Sequence, residues 1–251
     1  MPEISVEQNV IAVVHDFSQF KEYEEHYHQL GYKVKTMNSI SPMQGNTVFD
    51  PLKLVNGHSD TKGIAIIADT IIGSNPVFED RDFAIAAKSL LMAEIIFHKW
   101  IQREKRIPGC GSMEGVLYLQ RDLAGVHSFS DFQSGNWFVA DRFQSVNWHT
   151  PAYPYWKTYF SCSDFLQCSI YTSVNLSLEL MYNEEYIQAL QNRPKFQMKQ
   201  FVKEQSVALL YAPEEDEFAG KQAELLCSLA MHNMSLLKEK SNKTRSTQLV
   251  I

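Results

Sequence analysis

The sequence predicts an α/β fold whose parallel sheet is interrupted by an all-helical insertion. A strand–helix–strand pattern opens the chain (IAVVHDFSQFKEYEEHYHQLGYKV, residues 11–34), and a strand–helix pattern returns at 206–240. Between them the apolar residues recur at helical spacing. Residues 1–60 and 201–251 are therefore expected to form the α/β part, and 61–200 the all-α insert.

Taken in order, Val10-Ile11-Ala12-Val13-Val14 is a continuous apolar run, as expected of a parallel strand covered on both faces. Ser18 is expected to cap the following helix. Phe20, Tyr23, Tyr27 and Leu30 follow at steps of three, four and three, which places them on one helical face. Gly31 suits the left-handed position just past a helix, and Tyr32–Met37 resumes extended structure. A helix of this size is long enough for a parallel crossover.

Residues 38–63, rich in Asn, Ser, Pro and Gly, read as a connecting loop. A long helix is predicted from Glu79 to Arg103. Phe83, Ala86, Leu90, Ala93, Phe97 and Trp100 line one side, and Leu91, Met92, Ile95 and Ile96 the other. A helix apolar nearly all round belongs among other helices. Residues 109–200 stay mostly helical, with aromatic breaks such as NWHTPAYPYWKTYF at 147–160. SVALLYA (206–212) then reads as a strand, and Lys221–Lys240 as a helix with Ala223, Leu226, Ala230, Met234 and Leu237 inward. After the polar SNKTRST, QLVI looks like the opening of another buried strand.

Composition narrows the function classes. A chain of 251 residues with 45% hydrophobic and 12% aromatic content has ample material for a packed core. Its net charge of −6 argues against wrapping nucleic acid by bulk charge. The longest apolar candidate, Ile64–Ile72, contains Asp69 and falls short of the roughly 18 residues that suggest a membrane span. Met1-Pro2-Glu3 lacks the basic flank of a secretion signal. Cys110, Cys162, Cys168 and Cys227 show no CxxC spacing and are expected to be buried thiols.

A phosphate cradle needs converging glycine N–H groups, a Lys for the outer phosphates and a Ser or Thr for magnesium. The nearest approach is EEDEFAGKQ (214–222), between a strand and a helix. Glu215 stands where the first glycine belongs and Gln222 replaces the hydroxyl. Glu214, Glu215, Asp216 and Glu217 would repel phosphate. The other ATPase ingredient is an acidic pair at the end of an apolar strand. The final LVI stops before one, so no nucleotide cofactor is expected.

Short matches run in order along most of the chain. Val13-Val14-His15-Asp16 ends a strand, with Phe17, Ser18 and Gln19 next. Gly31-Tyr32-Lys33-Val34 and Asn38 follow, then Phe49-Asp50-Pro51-Leu52. Further on come Asn75-Pro76-Val77-Phe78, Ala86 to Leu91, Ala152 to Phe160, Ser169 to Val174, Ser206 to Tyr211, and Gln248 to Ile251. In this order they resemble the coupling ATPases of conjugation and type IV secretion, whose motor domain carries an all-α insertion. The departures are clear: Phe17, Ser18 and Gln19 stand where that family has Pro, Lys and Gly, and Asp50 replaces an Asn.

The resemblance implies an incomplete RecA-like parallel sheet with an all-α insertion. It implies a non-catalytic relative that recognises a relaxosome component, secretion substrate or coupling ATPase through the insert. Such a protein would be cytoplasmic, held at the inner membrane only by a partner, which could also cover an open sheet edge.

Candidate sites divide accordingly. Trp137, Trp148, Tyr153, Tyr155 and Trp156 either fill a helical core or form a binding face, since aromatic side chains dominate interface hot spots and stack on unpaired bases. Only Arg142 and Lys157 interleave with them, which favours a protein partner over single-stranded DNA. Lys99, Arg103 and Arg106 either offset a helix dipole or contact phosphate. His26 and His28, two apart on a helix, diverge and suit a solvated face. Cys162, Cys168, Phe165, Leu166 and Ile170 have the spacing of core packing.

Two competing readings stand beside the first. One is an enzyme with a site at His15-Asp16, at the carboxyl end of a strand where α/β sites form. The other is a stranded fragment without independent function.

Overall fold

The structure, a computed structural model, describes residues 8–73, 81–105, 111–122, 150–240 and 247–250. In chain order its elements are β1 (Asn9–Val14), α1 (Phe17–Gln29), β2 (Lys33–Asn38), α2 (Thr61–Gly73), α3 (Arg81–Lys105), α4 (Met113–Asp122) and α5 (Tyr153–Phe160). There follow α6 (Asp164–Met181), α7 (Glu184–Asn192), α8 (Met198–Phe201), β3 (Ser206–Tyr211), α9 (Glu217–Lys240) and β4 (Thr247–Val250). Short 3-10 turns lie at Pro42–Gln44 and Pro51–Lys53. No helix among the described residues is long and apolar enough to cross a membrane.

The chain divides into two compact units: Met1–Leu54 with Tyr182–Ile251, and Val55–Met181. The first is α/β, as expected. Its four strands are all parallel, in the order β2-β3-β1-β4. Ala12 sits opposite Leu209 on one side and Val250 on the other. Val10, Ala12, Val14, Val34, Val207 and Leu209 pack with Phe20 and Tyr27 of α1. The alternate residues Ile11, Val13, Ala208 and Leu210 turn to the opposite face and are also buried. The β3–α9–β4 crossover runs the other way along the sheet from β1–α1–β2, so right-handedness assigns α9 to that second face.

Local chemistry sets the ends of α1. Its cap is Asp16, whose side chain accepts from the Gln19 N–H at 2.8 Å; the expected cap, Ser18, lies inside the helix. Gly31 takes φ +80° just past the helix, as its sequence position predicted.

The outer edge of β2 is covered by the chain folding back on it. Asn46 accepts from Thr36 N–H and donates to Val34 O, both at 3.0 Å, while Thr47 N–H donates to Thr36 O at 3.1 Å. Gly45 is required there, because a Cβ would sit 2.7 Å from Thr36 O.

The boundary of this unit differs from the expected 60 and 200. Residues 182–200 join the α/β unit because they bond to the segment after β2. Val48 pairs in parallel with Lys195, Tyr186 Oη donates to Phe49 O at 2.7 Å, and Arg193 Nη2 donates to Met43 O at 2.6 Å. Single-chain periodicity marks these as helices but does not say which core they serve.

Among the described residues, the regular elements of the second unit are all helices. Here α2 begins inside the expected loop, and α3, described over Arg81–Lys105, covers the predicted helix and extends past Arg103; Glu79 lies outside the described residues. Phe97 of α3 meets Trp156 of α5 with ring centroids 5.0 Å apart, and Ile64, Ile67 and Ile71 of α2 are fully buried.

Candidate functional site

In the α/β unit, β1 and β3 are neighbours and their carboxyl ends lie side by side, with Val14 opposite Tyr211. The turns leaving them are pinned together. Ala212 N–H donates to Val14 O at 3.0 Å, and His15 Nδ1 lies 2.6 Å from Ala212 O. A carbonyl only accepts, so Nδ1 carries the proton, and in the neutral ring Nε2 is left as an acceptor. This is the end of a parallel sheet where ligands bind.

A cavity of about 400 Å³ runs along β1 from Val10 to this end of the strand. Its apolar floor is Val10, Ala12, Val13 and Val14 of β1 with Val250 of β4; its wall is Gln19, Tyr23 and Tyr27 of α1; its rim is His15, Asp16 and Glu214. Val10, Ala12 and Val14 of the floor follow from the pleat, which sends alternate β1 residues to the α1 face; the side chain of Val13, between them, turns to the other. The wall follows from helix geometry: positions 19, 23 and 27 are successive i, i+4 neighbours. The lining includes two carboxylates and no Lys or Arg. Burial, then neighbouring Tyr23 and Tyr32, pushes the Tyr27 hydroxyl above its ordinary pKa, so it stays protonated. No group of three or more His, Cys, Asp or Glu among the described residues could hold a metal ion.

Of the residues nominated from sequence, the structure brings His15 and Asp16 into this cavity. Glu214 joins them; its sequence signal was the acidic run 214–217 after a strand, read only as hostile to phosphate. Trp156 is fully buried against Phe97 and therefore belongs to the helical core, not to a partner surface. Tyr153 and Tyr155 are half-buried on α5, and Trp137, Trp148 and Arg142 lie outside the described residues. Lys99 is buried, which removes it from any exposed phosphate site; Arg103 is exposed, and Arg106 lies outside the described residues.

The expected core packing of 162–170 is also corrected. Phe165 is 84% exposed and Cys168 is exposed, whereas Ile170 is buried. Of the thiols, Cys227 alone is buried among those described, and burial pushes it up to about 11; Cys110 lies outside them. On α6, Phe165, Thr172, Leu176 and Leu180 fall within about 80° of one another at 100° per residue. All four are exposed, so α6 displays a largely apolar stripe. The alternation of these residues with buried Ile170, Val174 and Leu178 is the signal a periodicity reading could have used.

No protein-family model matches the chain, and no curated protein matches it.

Proposed function

We propose that the chain acts by binding rather than by catalysis, as a relative of the type IV coupling proteins that recognises a conjugation or secretion partner through its helical unit. The observation that carries this reading is the placement of a helical unit between β2 and β3 of a parallel sheet, the arrangement the resemblance implies. In this reading the sheet is a RecA-like remnant. The exposed stripe of Phe165, Leu176 and Leu180 supplies the apolar surface from which interface hot spots are built. Its low charge fits a protein partner better than DNA.

The test is capture of purified relaxase or coupling-ATPase subunits by the immobilised chain. Enrichment over a control bead is expected, and a Phe165→Ser, Leu176→Ser double variant is expected to lose most of it. Both side chains are exposed, so the fold should tolerate the change. Equal recovery on control beads would reject the assignment.

The cavity at His15-Asp16 favours a second reading, an enzyme. Its lining offers acids and an imidazole, but no Ser, Thr, Cys or Lys to act as a nucleophile. A general acid–base reaction on a bound small molecule is the form that reading takes. Turnover in a substrate screen, abolished by Glu214→Gln, would favour it.

A further inference from the structure

We infer that Glu94 and His98, in the interior of the helical unit, hold a divalent transition-metal ion. This inference does not rest on the coupling-protein reading. The two residues stand one turn apart on α3, at i and i+4, where Cβ atoms on one helix face are about 5–6 Å apart. That face points inward. Glu94 is 0% exposed and His98 4%, on a helix packed against α2, α4, α5 and α6. A carboxylate and an imidazole at this spacing can close on one ion from the same helix, as an i, i+4 histidine pair does.

Hydrogen bonding is the independent observation. Among the described residues, neither carboxylate oxygen of Glu94 and neither ring nitrogen of His98 has a partner, so the two do not bond each other either. Buried polar groups are almost always paired, and a carboxylate and an imidazole left unpaired side by side mark the place of an ion. The surroundings supply further oxygens. Tyr159 of α5 lies close enough to Glu94 to feel its charge, and it donates to Gln167 O at 3.2 Å. Gln167 and Gln120 spend amide N–H groups on Cys162 O and Tyr171 O, which leaves both Oε1 atoms buried and unpartnered. An imidazole nitrogen beside oxygen donors suits Zn2+ or Co2+, whereas Mg2+ and Ca2+ take oxygens alone. No third His, Cys, Asp or Glu completes the set among the described residues. Neutral oxygens must fill the rest of the shell, so the affinity should be micromolar, below that of a closed four-ligand zinc site.

The test uses the full chain, stripped with a chelator and titrated with Co2+ and then with Zn2+. Saturable binding of a single equivalent in the micromolar range is expected. Co2+ should develop visible d–d absorption that Zn2+ displaces, and the urea midpoint should rise until the site is full. Glu94→Gln and His98→Gln, each close in size to the residue replaced, should each weaken binding about tenfold or more. His26 and His28 on α1 are the surface competitors, so a His26→Gln, His28→Gln chain should bind metal like the parent. Line broadening by Co2+ in the parent chain needs no variant: it should be strongest at residues 94–98 and weak along α1. No saturable binding below millimolar metal, full affinity in both α3 variants, or broadening centred on α1 would overturn the proposal.

Discussion

Glu94 and His98 are two titratable residues of α3 that its apolar pattern does not explain. Both are buried, and among the described residues neither carboxylate oxygen of Glu94 nor either ring nitrogen of His98 has a hydrogen-bond partner. Burial disfavours the charged form of each, so the Glu94 pKa rises well above its ordinary 4.5 and that of His98 falls from 6.5 to about 4. The consequences for stability have opposite signs. Above about pH 4.5 the folded chain holds a proton on Glu94 that the unfolded chain has released, so stability falls as pH rises from there. Between pH 6.5 and about 4 the folded chain lacks a proton on His98 that the unfolded chain binds, so stability is lost as pH falls through that window. The His98 contribution is on the order of 3 kcal/mol. Urea unfolding from pH 4 to 8 should show His98→Leu losing less stability than the parent chain on acidification. Glu94→Gln should lose less on raising the pH. Parallel profiles for parent and variants would contradict the assignment.

At the scale of elements, α1 shows which parts of the sequence are legible and which are not. Its periodicity, its glycine stop and the flanking strands are local signals, and the structure places them within a residue or two of the expected positions. Its cap is the exception: Ser18 is the residue expected from sequence, but Asp16, an equally good capping residue, takes the position. The choice is made by β1, whose last paired residue is Val14, leaving Asp16 at the turn. Asp16→Ala should therefore cost about 1 kcal/mol in urea unfolding, and Ser18→Ala less than about 0.5; equal costs would return the cap to Ser18.

The same logic explains the misses. Residues 184–201 have clear helical spacing, yet their attachment to the α/β unit rests on bonds such as Tyr186 to Phe49, 137 positions apart. Phe165 reads as a core residue by type and is exposed because its stripe of α6 meets no other described helix. The cavity was half legible: His15-Asp16 ends a strand in the sequence, but Glu214 reaches it only through the pairing of β1 with β3.

For the α/β unit as a whole, the decisive pairing is β1 with β4, which joins residues 9–12 to residues 247–250. It keeps β1 in the interior of the sheet. Without β4, the run Val10–Val14 would become an edge, with unpaired backbone groups beside a continuous apolar sequence, the arrangement that templates aggregation. The opposite edge is protected by Asn46 and Thr47, which occupy β2's outer hydrogen-bonding groups. Among the described residues nothing comparable covers β1 once β4 is gone. Deleting residues 247–251 should therefore lower unfolding stability by on the order of 1 kcal/mol for each backbone hydrogen bond lost. It should also convert the chain to oligomers in size-exclusion chromatography, with thioflavin binding that grows with concentration. A truncated chain that stays monomeric and unfolds like the parent would mean that the sheet does not depend on β4.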